Sequence, residues 1–200
     1  MITIIDYNAG NLKSVQNALY RLGANSLITK KPDEILKADK IIFPGVGAAG
    51  AAMQNLNKLN LISPIKKFIK SGKPFLGICL GAQILLESSE EDNAECLGII
   101  RGQNKKFNNS NLVVPQIGWN QVNITKSNNL FKNIPANSFF YFLNSYYFNL
   151  KDDKNILSKT NYGDKFISAF NKNNIYGVQF HPEKSGKIGE KLLSNFVNLC

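Results

Sequence analysis

The sequence predicts an α/β fold, a mostly parallel central sheet with flanking helices and a smaller strand-rich second half. Three observations carry this. Over the first ninety residues short β-branched runs alternate with amphipathic helical stretches; repeated strand–helix units build a parallel sheet covered on both faces. After Glu90 the texture changes to short strands between Asn- and Gly-rich turns. The length, 200 residues at 44% apolar composition, suits one domain over 1–200 that buries its own core.

The elements follow in order. Ile2-Thr3-Ile4-Ile5 reads as a strand buried on both faces. Asn11 caps a helix carrying Leu12, Val15, Leu19 and Leu22 on one stripe, closed by Gly23. Ser26 to Thr29 is a second strand, and Lys40 to Phe43 a third that runs into Pro44-Gly45-Val46-Gly47. Helices are expected over Ala49 to Leu59 and over Pro64 to Lys70, the latter ended by Gly72. Pro74 to Cys79 reads as a buried strand followed at once by a helix over Leu80 to Glu87. In the second half, strands are expected over Leu97 to Ile100, Val113 to Val122, Phe139 to Phe148, Phe166 to Asn171 and Ile175 to Phe180, with a hairpin turn at Lys172-Asn173-Asn174. A closing helix places Ile188, Leu192, Leu193, Phe196 and Val197 on one face. The 108–111 stretch reads as an exposed loop, and the acidic run Glu87 to Glu95 as a solvated loop rather than a metal site.

Composition excludes several function classes. Three cysteines without regular spacing and one histidine do not supply a tetrahedral zinc site or a disulfide scaffold. The longest apolar-leaning stretch, Ile41 to Met53, is broken by Pro44 and three glycines and falls short of a membrane span. The opening MITIIDY lacks the basic start of a signal peptide, and a reducing cytoplasm is expected. The net charge of +10 is almost entirely lysine, since only Arg21 and Arg101 are arginine, alongside 27 asparagines. Readers of nucleic acid lean on arginine for bidentate contacts. Scattered lysines read as biased composition of a solvated surface, or as a docking face for acidic partners.

Chemistry concentrates in three places. In Gly77-Ile78-Cys79-Leu80-Gly81-Ala82-Gln83, a cysteine sits where a buried strand turns directly into a helix. A thiolate there would feel the helix N-terminus, and the Leu80 N–H would point to where an oxyanion forms. The same residues also fit a small buried hydrophobe in a tight turn; Cys96 and Cys200 have no such setting. In Gln179-Phe180-His181-Pro182-Glu183, the only imidazole lies two residues from a carboxylate that could fix its tautomer. A lone histidine is also a common structural residue, but a cysteine nucleophile needs a base and no other histidine exists. Pro44-Gly45-Val46-Gly47 offers backbone N–H groups beyond a strand end, where open α/β sheets bind ligands. It lacks the spacing of known phosphate loops and fits a second oxyanion donor opposite Leu80.

Taken in this order and spacing, the PGVG, GICLGAQ and QFHPEKS segments resemble class I glutamine amidotransferase domains over essentially the whole chain. More narrowly, Asp6 to Leu12, Pro115 to Asn120 and Asn144 to Tyr147 resemble the glutaminase subunits of imidazole glycerol phosphate synthase. The resemblance implies a flavodoxin-like fold, hydrolysis of L-glutamine to glutamate and ammonia, and transfer of that ammonia to a (β/α)8-barrel synthase subunit in a heterodimer serving histidine biosynthesis. It implies no cofactor, no metal, no nucleic acid and no membrane. It assigns Cys79 as nucleophile, His181 as base and acid, and Glu183 as orienting carboxylate. It places Gly45, Val46, Gly47 and Leu80 at the oxyanion, Gln83 and the Ser145-Tyr146 backbone against glutamine, and Asn8, Asn11 and Trp119 near the partner. Trp119 fits a core position equally well. The chain departs from the family in carrying Asn144 where histidine is usual and Ala82 where a larger residue is usual. An alternative acceptor is a sugar-modifying amidotransferase.

Overall fold

Strand order explains how the two halves join. The computed structural model describes residues 1–108 and 112–200, so the loop expected at 108–111 lies, from 109 on, outside the described residues. The elements are β1 (Ile2–Ile5), α1 (Leu12–Arg21), β2 (Ser26–Thr29), α2 (Pro32–Lys37), β3 (Lys40–Gly45), α3 (Ala49–Lys58), α4 (Ile62–Lys70), β4 (Phe75–Cys79) and α5 (Leu80–Gln83). Then come β5 (Ser88–Ser89), β6 (Ala94–Glu95), β7 (Gly102–Lys106), β8 (Gln116–Ile124), β9 (Ser138–Asn144), β10 (Tyr146–Leu150), β11 (Ile156–Tyr162), β12 (Asp164–Lys172), β13 (Ile175–Val178) and α6 (Gly186–Leu199). The main sheet runs β2-β1-β3-β4-β13-β12-β10-β7-β5-β6. From β2 to β13 every pairing is parallel. Beyond β13 the pairings turn antiparallel, except β5 with β7. A side ribbon, β9-β8-β11, hangs from β12.

The parallel strands obey the two-residue alternation expected of a doubly covered sheet. Ile41, Phe43 and Phe75 point to one apolar layer with Ile65 and Phe68 of α4. Ile42, Leu76 and Ile78 point to the other, with Val15 and Leu19 of α1 and Leu192 and Phe196 of α6. Each fully buried side chain of this size contributes about 1.5–3 kcal/mol. Asn11 caps α1 by accepting from the Ser14 N–H at 3.4 Å. Lys66, Lys67 and Lys70 of α4 project outward while Pro64, Ile65, Phe68 and Ile69 are buried.

The expected elements differ in three places. The helix begun at Leu80 ends at Gln83, not Glu87, and no strand forms over 97–100. The two departures have one cause. The carbonyls of Ile84, Leu85 and Leu86, freed by the short helix, accept the N–H groups of Leu97, Gly98, Ile99 and Ile100 at 2.8–2.9 Å. Second, the stretch expected as one strand, 139–148, is two, β9 and β10, broken at Ser145. Third, the acidic run exposes Glu90, Asp92 and Glu95 to solvent as expected, but it carries the short strands β5 and β6 and ties its carboxylates to backbone rather than forming a plain loop. Glu87 accepts from the Gly102 N–H at 3.0 Å and Glu90 from the Lys106 N–H at 2.8 Å. Glu91 accepts from the Ala49 N–H at 2.8 Å, capping α3, whose own N-cap Ala48 has no side chain to do so. Among the described residues no helix is long and apolar enough to cross a membrane.

Candidate active site

At the carboxyl end of β4 the chain turns into α5 without a linking residue. Cys79 carries the turn at φ 53°, ψ −115°, a backbone state that a side-chain-bearing residue adopts only under constraint. The constraint is close packing. A Cβ on Gly77 would come within 2.7 Å of the Ala82 Cα, and one on Gly81 would run into the Phe43 carbonyl. Glycine at both places lets the helix approach the sheet and turns Cys79 up into a cleft. That cleft is lined by Val46, Gly47, Cys79, Leu80 and Gln83 on one side and by Glu91, Pro115, Leu143, Asn144, Ser145 and Tyr146 on the other.

His181 comes to Cys79 from beyond β13. The strand stops at Val178, and Pro182–Lys184 form a 3-10 turn. The contact expected from an extended alternation is therefore made by a turn instead: His181 Nδ1 lies 2.9 Å from Glu183 Oε1. Both side chains are almost fully buried, at 3% and 2% exposure, so the pair is shielded from solvent screening. The His181 N–H donates to the Tyr141 carbonyl at 2.8 Å, and its own carbonyl accepts from the Ser185 hydroxyl at 2.6 Å. With Nδ1 taken by the carboxylate, Nε2 has no hydrogen-bond partner among the described residues and is the nitrogen left for the sulfur. Burial alone would push the imidazole pKa down; the charge of the adjacent Cys79 sulfur and the Glu183 carboxylate outweigh it, and the net shift is upward.

The other expected residues divide. Val46, Gly47, Leu80, Gln83, Ser145 and Tyr146 all line the cleft. Gly45 lies beneath it, buried against the Tyr7 hydroxyl and Leu80. Gln83 Nε2 donates to the Tyr146 carbonyl at 2.9 Å, and Asn144 Nδ2 donates to the same oxygen at 3.0 Å. Asn8 and Asn11 sit on the exposed turn after β1, whose Gly10 packs against Pro44 and Gly45. Trp119 is 56% exposed, which removes the core alternative. Its ring meets Tyr141 edge-on at 6.3 Å, one backbone hydrogen bond away from His181. Reasoning from sequence missed Glu91 and Gln179. The acidic run was a signal for the first; Gln179 stands inside a recognised segment, but nothing local shows that its side chain turns toward Cys79.

A strand-to-helix cysteine thus stands beside a buried His–Glu pair, and family comparison agrees with that arrangement. The model for "Glutamine amidotransferase class-I" matches residues 3–199. The chain belongs to the class I glutamine amidotransferase family. Among family members, it is 51% identical over 200 residues to the imidazole glycerol phosphate synthase subunit HisH of Methanocaldococcus jannaschii, covering 100% of both chains. It is 48% identical over 199 residues to subunit HisH 2 of Methanococcus maripaludis, covering 98% of each. Solved glutamine amidotransferase structures share the fold at low identity. One superposes with a TM-score of 0.78 at 16% identity, covering 100% of this chain and 98% of that one. The PurLQS structure from Thermotoga maritima does so at 0.74 and 19%, covering 98% and 97%.

Proposed function

We propose that this glutamine amidotransferase hydrolyses L-glutamine through a thioester on Cys79 and hands the ammonia to a synthase subunit that forms imidazole glycerol phosphate. The observation that carries the reading is a cysteine held at a positive-φ turn beside a buried imidazole whose far nitrogen is occupied by a carboxylate. Cys79 Sγ attacks the side-chain amide carbon while its proton passes to His181. Backbone N–H groups of Leu80 and of the Gly45–Gly47 segment face the tetrahedral oxyanion. His181 then protonates the departing nitrogen, the C–N bond breaks and ammonia leaves. Water, deprotonated by the same imidazole, cleaves the thioester to glutamate and restores the thiol. Glu183 orients the ring throughout.

Gln83, Ser145 and Tyr146 suit the amino-acid end of glutamine, and Glu91, the carboxylate on the cleft wall, suits its ammonium group. The whole chain acts as one domain in this reading. The partner is a (β/α)8-barrel synthase subunit in a heterodimer, and the pair works in the cytoplasm. Support for a docking face comes from the outer side of the β8–β9 ribbon, where Trp119, Ile117 and Phe139 are all more than half exposed. Ile117 pairs with Leu143, which lines the cleft, so this apolar face runs to its mouth. Ammonia released into water is lost as ammonium, which favours a sealed mouth.

Two measurements test the proposal. Cys79→Ala abolishes ammonia release from glutamine with little loss of thermal stability, because the substitution removes one sulfur atom at a turn. Adding a barrel synthase with its acceptor raises glutamine hydrolysis by the wild-type chain. No stimulation by that synthase, with stimulation by a sugar-modifying enzyme instead, would transfer the chain to the other acceptor.

A further inference from the structure

Gln179 touches the sulfur yet takes no part in the steps above. It follows β13, is fully buried, and its backbone N–H donates to the Ser168 carbonyl of β12 at 2.9 Å. Its carboxamide has one workable orientation. Gln83 Nε2, a donor only, lies 3.1 Å from Gln179 Oε1, so the amide oxygen must face Gln83. Gln179 Nε2 then faces Cys79 Sγ at 3.5 Å. Gln83 is fixed in turn. The same Nε2 donates to the Tyr146 carbonyl, and the Gln83 backbone carbonyl accepts from the buried Asn104 side chain at 2.9 Å. The amide therefore links the cleft wall that would hold glutamine to the sulfur that would attack it.

A buried glutamine could serve packing alone, but then both ends of its amide would find ordinary partners. Here, among the described residues, the donor end finds only sulfur. A thiol sulfur is a weak acceptor; a thiolate is a charged one, and charge-assisted hydrogen bonds are roughly twice as strong. We propose that Gln179 is a positioning residue for glutamine hydrolysis, holding Cys79 Sγ in the orientation that faces the cleft and favouring the sulfur in its charged form. The proposal rests on reading Cys79 as the nucleophile. It acts where the sulfur is anionic, at attack and again when the thioester expels it. It contributes little in the acyl state between them, when Sγ is neutral.

Among the described residues, the titratable side chains around Cys79 are His181 with Glu183 behind it, Tyr7 from the turn after β1, and Glu91 and Tyr146 on the cleft wall. Substitution of Gln179 leaves all five in place. The test uses Gln179→Met, which keeps length without a donor, and Gln179→Glu, which keeps an acceptor for Gln83 but sets an oxygen against the sulfur. Carbamidomethylation of each cysteine by iodoacetamide is followed by peptide mass mapping over about pH 5 to 9, beside kcat and KM for glutamine. In Gln179→Met the Cys79 profile moves upward by about one pH unit and kcat falls about tenfold, while KM changes by less than about threefold, the size expected for one hydrogen bond to a charged group. Gln179→Glu moves the profile at least as far. An unmoved profile in either folded variant assigns Gln179 to packing and overturns the proposal. Wild-type Cys79 reacting no faster than Cys96 and Cys200 would instead overturn the nucleophile reading beneath it.

Discussion

The two sides of the cleft are built by different means. The Cys79 side is backbone work: a buried parallel strand, an immediate helix, and two glycines that let them meet. Its geometry follows from a seven-residue segment. The opposite side is side-chain and register work. Leu143, Asn144, Ser145 and Tyr146 come from the break between β9 and β10 and Glu91 from a short connection, while His181 comes to Cys79 from beyond β13. They meet only because β10, β12 and β13 extend the parallel sheet sideways. The first side should therefore respond to substitution in an all-or-none way, and the second by degrees. The predictions below press on that difference, from the largest effect to the smallest.

His181→Asn lowers kcat for glutamine by about a thousandfold or more, and Glu183→Gln by less, since an orienting group leaves a partly held base in place. Steady-state ammonia release from both folded variants checks the order, and a deader Glu183→Gln would reverse the assigned roles. Trp119→Ala weakens association with a barrel synthase by about tenfold or more. The same substitution changes unfolding free energy by less than about 0.5 kcal/mol, because the ring is mostly exposed. Titration calorimetry beside thermal melting separates the two effects.

Thiol labelling sharpens the comparison by pH. Burial, with Glu91 nearby, pushes the Cys96 thiol up to about 11, and burial also raises Cys200. A raised thiol pKa keeps the sulfur protonated and unreactive until the pH climbs toward it. A glutamine-analogue electrophile at neutral pH therefore labels Cys79 alone, and Cys96 begins to react only in strongly alkaline solution. Mass mapping of the adducts reads this directly. The smallest effect is expected at Tyr7. Its hydroxyl is fully buried behind Gly45 without a hydrogen-bond partner among the described residues, so Tyr7→Phe changes stability by no more than about 1 kcal/mol, in the stabilising direction. Denaturant melts of the two chains give the difference.

The first half was readable because its signals are local. β1, β3 and β4 are continuous buried runs, Asn11 caps α1, and the Cys79 turn is written in consecutive residues. The second half was readable in kind but not in detail. β7, Gly-Gln-Asn-Lys-Lys, is too polar to announce a strand, and it forms because β10 supplies a full antiparallel ladder. The apolar residues over 84–86 and 97–100 suggest a helix and a strand. They instead satisfy one another's backbone groups across a loop, a choice that depends on partners twelve or more residues away.

By itself, then, the sequence determined the parallel core, the Cys79 turn and the pairing of His181 with Glu183, each set by neighbours within a few positions. Only the tertiary structure decided that Glu91 caps α3 while lining the cleft, that Trp119 stands on the rim rather than in the core, and that Gln179 turns its amide toward Cys79. The physical reason is the range of the determining contacts. Backbone sterics act between adjacent residues, whereas the burial and hydrogen-bonding partners of a side chain are settled by strand order, and here that order joins residues about a hundred positions apart.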